Sequence, residues 1–228
     1  MKAKFGSIVV DGRGKLGGHV YSKNRSGAYV RTKVTPTNPQ TASQTAVRNR
    51  LTSFSQGWRG LTEAQRDAWN NAVTDFAKTD VFGDIKNPTG LNLYVGLNSN
   101  LAQVGVGAIS TPPLPSEVEA LVTTSLVASV GTSQVDVTFG PSPVPADTAF
   151  VVEATTGVSA GRNFLKNEFR EIAVLDAGET SVWAGGSDWI AKFGSLIEGT
   201  KIGIRLTPVN KVTGQKGASL VATAIVGA

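Results

Sequence analysis

The chain has no cysteine, a single histidine and a single methionine among its 228 residues. The missing cysteines exclude disulfide staples, thiolate nucleophiles and zinc–thiolate centres together. His19 cannot assemble a zinc site alone, and any Ser-His-Asp triad would have to run through that one imidazole. Long apolar runs are also missing: none approaches the roughly 18–20 residues that a membrane helix needs. Residues 1–6 lack the apolar core of a secretory signal, so synthesis and retention in a cytoplasm are expected. Stability must come from buried area or from partner subunits.

Catalytic and cofactor motifs are equally sparse. Gly12-Arg13-Gly14-Lys15-Leu16-Gly17 satisfies the dinucleotide spacing G-x-G-x-x-G after a short apolar run. Such glycines serve a pyrophosphate only when a helix follows, and residues 18–34 alternate like a strand instead. No Gly-Lys-Ser/Thr closes a phosphate loop. The carboxylate pairs Glu168 with Glu171 and Asp75 with Asp80 lie away from any aromatic groove and read as solvated charges. The expectation is a soluble, non-catalytic structural or binding protein with no cofactor and no metal.

What is present is a globular composition, with 40% hydrophobic residues and 26 glycines to serve tight turns. The net charge of +5 conceals a division. Residues 1–60 carry eleven Lys and Arg against one acid, Asp11, while residues 61–228 carry eleven against sixteen acids. A basic front end therefore precedes a mildly acidic body, a balance suited to nucleic acid, a membrane surface or an acidic protein partner.

Residues 1–37 read as an extended basic arm. An apolar run at 5–10 leads to a turn at Asp11-Gly12-Arg13-Gly14, and a hairpin folds about Asn24-Arg25-Ser26-Gly27. Alternation puts Ala28, Val30, Thr32 and Val34 on one face and Tyr29, Arg31 and Lys33 on the other. Such a hairpin is barely stable alone and should lean on something.

Residues 38–110 read as three short amphipathic helices sharing a small core. Val47, Leu51, Phe54 and Trp58 form the first stripe, with Gly57 and Gly60 marking its end. Thr62-Glu63-Ala64-Gln65 is a capping box opening a helix with Trp69, Ala72, Val73 and Phe76 on one face. After a polar turn at 83–88, Thr89 caps a third helix with the stripe Leu93, Leu97, Leu101 and Val104. The tryptophans read as core.

The proline-rich stretch 111–115 is a semi-rigid linker. Beyond it the period becomes two, with candidate strands at 121–130, 134–139, 149–155, 170–176, 181–183, 201–208 and 220–226. About seven strands separated by turn residues suggest an antiparallel two-sheet sandwich over 116–228. Ile202, Ile204 and Leu206 should face in, with Lys201, Gly203, Arg205 and Thr207 facing out. The fold class expected is thus α+β and multidomain.

The residues most suited to a partner are Arg13, Lys15, Lys23, Arg25, Arg31 and Lys33, with Tyr21 and Tyr29 interleaved. They could contact phosphates and stack bases, or grip an acidic protein surface through charge-assisted bonds. No zinc finger, ribonucleoprotein signature or Gly-x-x-Gly clamp organises them, and a protein partner is the preferred reading.

A resemblance also runs through the first 100 residues or so. It is carried by Gly14-Lys15-Leu16-Gly17-Gly18, Asn24-Arg25-Ser26-Gly27-Ala28-Tyr29-Val30-Arg31, Pro36-Thr37-Asn38-Pro39-Gln40-Thr41, Gln44, Arg48, Ser55-Gln56-Gly57-Trp58-Arg59, Leu61-Thr62 and Arg66-Asp67-Ala68-Trp69-Asn70. This string resembles a group of tailed-phage and prophage proteins. Residues 116–228, from Lys201 through Asn210, Gly214 and Ser219 to Val226 above all, resemble fibronectin type III or immunoglobulin-like modules, although Gly203 stands where an aromatic is usual. The resemblance implies a virion protein made in a bacterial host cytoplasm. A capsid decoration or cement protein docked by its basic arm on the major capsid protein or another subunit is the favoured expectation. A tail, adaptor or fibre-attachment subunit, or a nucleic-acid-binding protein, are the alternatives. Homo-oligomerisation is expected and a membrane partner is not.

Overall fold

The computed structural model describes Lys2, Lys4, Gly6 and residues 12–228. Of the apolar run expected at 5–10, all but Gly6 lies outside the described residues, as does Asp11.

The arm is a three-stranded antiparallel sheet in the order β1 (Gly14–Leu16), β2 (His19–Asn24), β3 (Gly27–Thr32). The expected turn is present, with Asn24 opposite Gly27 and the Asn24 Oδ1 accepting from the Ser26 N–H at 2.9 Å. Gly27 has φ of 106°, which a side chain would resist. Gly14, expected within a turn, instead begins β1, and the chain reverses at Gly17-Gly18. Pairing with β2 satisfies backbone groups that a loop would leave to water.

Helix α1 (Ala42–Gly60) is capped by Thr41, whose hydroxyl accepts from the Gln44 N–H. Helix α2 (Glu63–Asn71) opens with both halves of the capping box made between Thr62 and Gln65, and a 3-10 turn (Ala72–Thr74) follows. Helix α3 (Gly90–Gln103) is capped by Thr89. Their shared core is centred on Tyr94, whose ring lies 5.4 Å from Trp69, 5.6 Å from Trp58 and 6.4 Å from Phe54 between centroids. The buried Trp69 indole donates to the Ser110 carbonyl at 2.8 Å.

Three expectations about this part are corrected. Phe54 and Trp58 reach the core, but Val47 and Leu51 are 61% and 53% exposed, because the first turns of α1 run clear of Tyr94. Gly57 does not end α1. It sits inside the helix, where a Cβ would come within 3.0 Å of the Tyr94 hydroxyl, so its role is close approach. The segment at 83–88 is more than a turn: β4 (Lys78–Thr79) and β5 (Ile85–Lys86) pair across it as a small hairpin.

The remainder forms two antiparallel sheets. One runs β11 (Trp183–Ala184), β7 (Gln134–Gly140), β6 (Thr123–Ser129). The other runs β10 (Arg170–Leu175), β8 (Thr148–Ala154), β12 (Thr200–Asn210), β13 (Leu220–Ile225), with β9 (Val158–Ser159) also on β12. Val135, Val137 and Phe139 of β7 meet Phe150, Val152 and Ala154 of β8 and Ile202, Ile204 and Leu206 of β12 in one core. Burial of side chains this large supplies the main stabilisation.

Two further corrections belong here. Helix α4 (Gly186–Phe193) was not expected; its Trp189 is buried and donates to the Thr155 carbonyl at 3.0 Å. Gly203 and Thr207 do not face water. Leu165 and Phe169 cover Gly203, and Thr207 is 8% exposed, because the second face of β12 is itself packed.

Helix α3 also touches this second face. Val104 packs with Ala149, Val151 and Val209, and the Asn100 amide donates to the Gly214 carbonyl at 2.8 Å. The link at 111–115 is therefore not the sole join between helices and sheets. Just ahead of that link, the buried Asn98 side chain bonds the Ile109 carbonyl and N–H.

Candidate interaction surface

Residues opposite one another in an antiparallel ladder share a face, and neighbours along a strand alternate. Lys15 lies opposite Val20, and Val20 opposite Arg31. The same face receives Ser22 with Tyr29, and Asn24 with Gly27. The other face carries Leu16, His19, Tyr21, Lys23, Ala28, Val30 and Thr32. The eight expected partner-binding residues are thus divided by the pleat. Lys15, Tyr29 and Arg31 come together, Tyr21 and Lys23 lie behind them, and Arg25 stands at the turn. Arg13 and Lys33 flank the strands, and the Lys33 N–H donates to the Gly18 carbonyl at 2.8 Å. All six cations of the set are exposed, whereas Tyr21 and Tyr29 are half-buried.

Two other lysines of the leader are already engaged. Lys2 bridges to Tyr29 at the open edge of β3, and its ammonium meets the Asp80 carboxylate at 2.8 Å. Lys4 pairs with Asp84 at 3.3 Å and stands 5.3 Å from the Phe82 ring centre. The basic leader is therefore pinned at one edge to the β4–β5 hairpin. Asp80, expected to be solvated, has a side chain only 5% exposed. Its Oδ1 caps the turn by accepting from the N–H groups of Phe82 at 2.8 Å and Asp84 at 3.1 Å. The Lys2 ammonium, aided by those two N–H groups, holds its carboxyl down from the ordinary 3.8 to about 2.

The carboxylates of the second candidate pair are also partnered. Glu168 pairs with Arg162 at 2.6 Å, and Glu171 accepts from the Gln103 amide at 2.6 Å. Among the described residues, no group of three or more His, Cys, Asp or Glu gathers as a metal site would require. Nor is any described helix long and apolar enough to cross a membrane. His19 is an exposed first residue of β2 opposite Leu16, and Gly12 to Gly17 runs into a strand with no helix behind it. A pyrophosphate-binding turn needs that helix.

No protein-family model matches the chain, and no curated protein matches it. Among solved structures, the chain is similar to a Fn3-like protein from Clostridium thermocellum. That likeness has 14% identity and a TM-score of 0.31, over 50% of this chain and 97% of the other. A beta-1,2-glucanase from Parabacteroides distasonis matches at 14% identity and a TM-score of 0.26, over 54% of this chain and 15% of the enzyme. Neither likeness carries weight for function at these scores.

What the geometry offers chemically is a small platform. Two exposed cations share one row across Val20, and a half-buried phenol stands beside Arg31 in the next row of the same face, with further cations around the rim. Such a surface can form charge-assisted hydrogen bonds to carboxylates or phosphates while the ring supplies contact area.

Proposed function

We propose that this protein is a structural subunit of a tailed-phage particle, most specifically a capsid decoration or cement protein. The basic face of the leader docks on acidic surface of the major capsid protein or another virion subunit. The observation that carries this reading is the convergence of Lys15, Arg31 and Tyr29 on one exposed face, in the segment whose sequence resembles phage proteins. Manufacture in the host cytoplasm and residence in the virion belong to the same proposal.

Residues 116–228 are read as a fibronectin type III or immunoglobulin-like module displayed by that anchor. Three strands facing five, with the chain crossing between sheets from β7 to β8, β10 to β11 and β11 to β12, support that reading, since Greek-key sandwiches cross between sheets in this way. The first turns of α1 support homo-oligomerisation as part of this reading. Val47 and Leu51 are apolar and exposed there, and a neighbouring subunit would remove them from water.

The test is co-sedimentation with assembled capsids. The full chain should pellet with them, and Lys15→Gln with Arg31→Gln should release it without altering its fold. Retention of the charge-neutralised form would overturn docking by this face. Mass spectrometry of purified heads and tails separates the decoration reading from a tail, adaptor or fibre-attachment subunit. A shift of duplex DNA at about 50 mM salt, lost by about 200 mM, would instead mark a nucleic-acid-binding protein.

A further inference from the structure

A second site lies where leader, helices and sheets meet. A cleft of about 510 Å³ is floored by Phe76, Leu93 and Leu97 and rimmed by Lys78, Lys86 and Lys216. That volume falls in the range of small-ligand and peptide-side-chain sites. Asn87, Asn92 of α3 and Gln215 of the β12–β13 loop also line it, while Asn100 lines it with its amide already given to the Gly214 carbonyl. Asp75 is the single acid of the lining against those three lysines.

The lysines are placed at a cost. Lys78 and Lys86 stand directly opposite in the β4–β5 ladder, a pairing of like charges that opposes strand association. Lys86 has partial relief from Asp84 at 3.7 Å. Lys216 donates to the Gln103 side-chain carbonyl at 2.7 Å, and burial pushes its ammonium below the usual lysine range, with Glu153 and Glu171 pulling it partly back. A carboxylate entering the cleft would relieve the Lys78–Lys86 repulsion, with Lys216 as a third cation of the lining. The amides would meet a peptide backbone, which has both donors and acceptors.

We propose that this cleft binds an extended acidic peptide segment, taking its carboxylates between Lys78, Lys86 and Lys216. The site is separate from the basic face of the leader and does not rest on its docking role.

The experiment is calorimetric titration of the full chain, at low salt, with a capped hexapeptide of alternating aspartate and serine. Saturable one-to-one binding is expected, weakened on the order of tenfold by Lys78→Gln with Lys86→Gln. Lys216→Gln should weaken it similarly, and Lys15→Gln with Arg31→Gln should leave it unchanged. The asparagine–serine version of the peptide should not bind. Thermal melting guards against misfolding: the Lys78→Gln/Lys86→Gln form should melt no lower than the parent, since it loses a repulsion. The peptide should raise the melting points of the parent and the leader variant alike, and those of the cleft variants less. Absence of saturable binding, binding indifferent to the cleft substitutions, or equal loss in the leader variant would each overturn the proposal. So would retention of binding by the uncharged peptide.

Discussion

The carbonyl oxygen of Leu97 occupies space that a side chain at Gly214 would need, at 2.5 Å from the position of its Cβ. Gly214 also has φ of 72°, and its own carbonyl accepts from Asn100 one turn further along α3. The β12–β13 loop is thereby pressed onto the helix, and the two halves of the chain share that contact.

Gly214→Ala should therefore destabilise by about 2–4 kcal/mol, combining left-handed backbone strain with overpacking against a main-chain atom. Urea unfolding followed by tryptophan fluorescence checks this. A loss below about 0.5 kcal/mol would mean that the loop lifts away from α3 freely.

At the start of α2, Thr62→Ala removes the acceptor for the Gln65 N–H and leaves the other half of the box alone. A loss of about 1 kcal/mol is expected by thermal unfolding. Gln65→Glu should keep the box and cost little, because a carboxylate accepts from the same N–H.

Asp80 sets an acid limit on the leader's attachment. Its folded-state value of about 2 lies below the ordinary 3.8. Its contribution is thus complete above 3.8 and drains away as pH falls toward 2. The stability gap between parent and Asp80→Asn should stay constant from neutral pH down to about 4 and narrow below it. A gap that persists undiminished at pH 2 would show that the Lys2 contact is not what depresses this carboxyl.

Val47 and Leu51 give the opposite expectation. Val47→Ser with Leu51→Ser should change the stability of the isolated chain by less than about 0.5 kcal/mol, as exposed positions do. Sedimentation equilibrium should show any self-association weakened. Unchanged association would place the subunit contact elsewhere.

Local chemistry was the part most open to reading in advance. The caps at Thr62 and Thr89 rest on contacts three residues apart, and the turn after Asn24 on its glycine, so both follow from short stretches of sequence. Periodicity identified the stripe of α1 but not how much of it would find a neighbour, since that depends on where α3 crosses. Gly203 looked outward by alternation, and only the distant Leu165 and Phe169 bury it. Helix α4 is eight residues long, too short for its Trp189, Ile190 and Phe193 spacing to stand out among strands. Of the candidate surface, the residue types were legible, but their division between two faces required the register of β1 on β2. The lysines of the cleft are separated by up to 138 positions, from Lys78 to Lys216, and no local pattern joins them.

The two sheets are also stitched together by residues 226–228. Gly227 exchanges main-chain bonds with Ala128 of β6 and Val130 just past it, both at 3.0 Å, and the Ser129 hydroxyl donates to the Ala228 carbonyl at 2.5 Å. Trimming Gly227 and Ala228 alone, with the buried Val226 left in the core, would bare the rim of β6 while leaving its pairing with β7 intact. The trimmed protein would then fail by sticking to copies of itself, strand against strand, sooner than by melting.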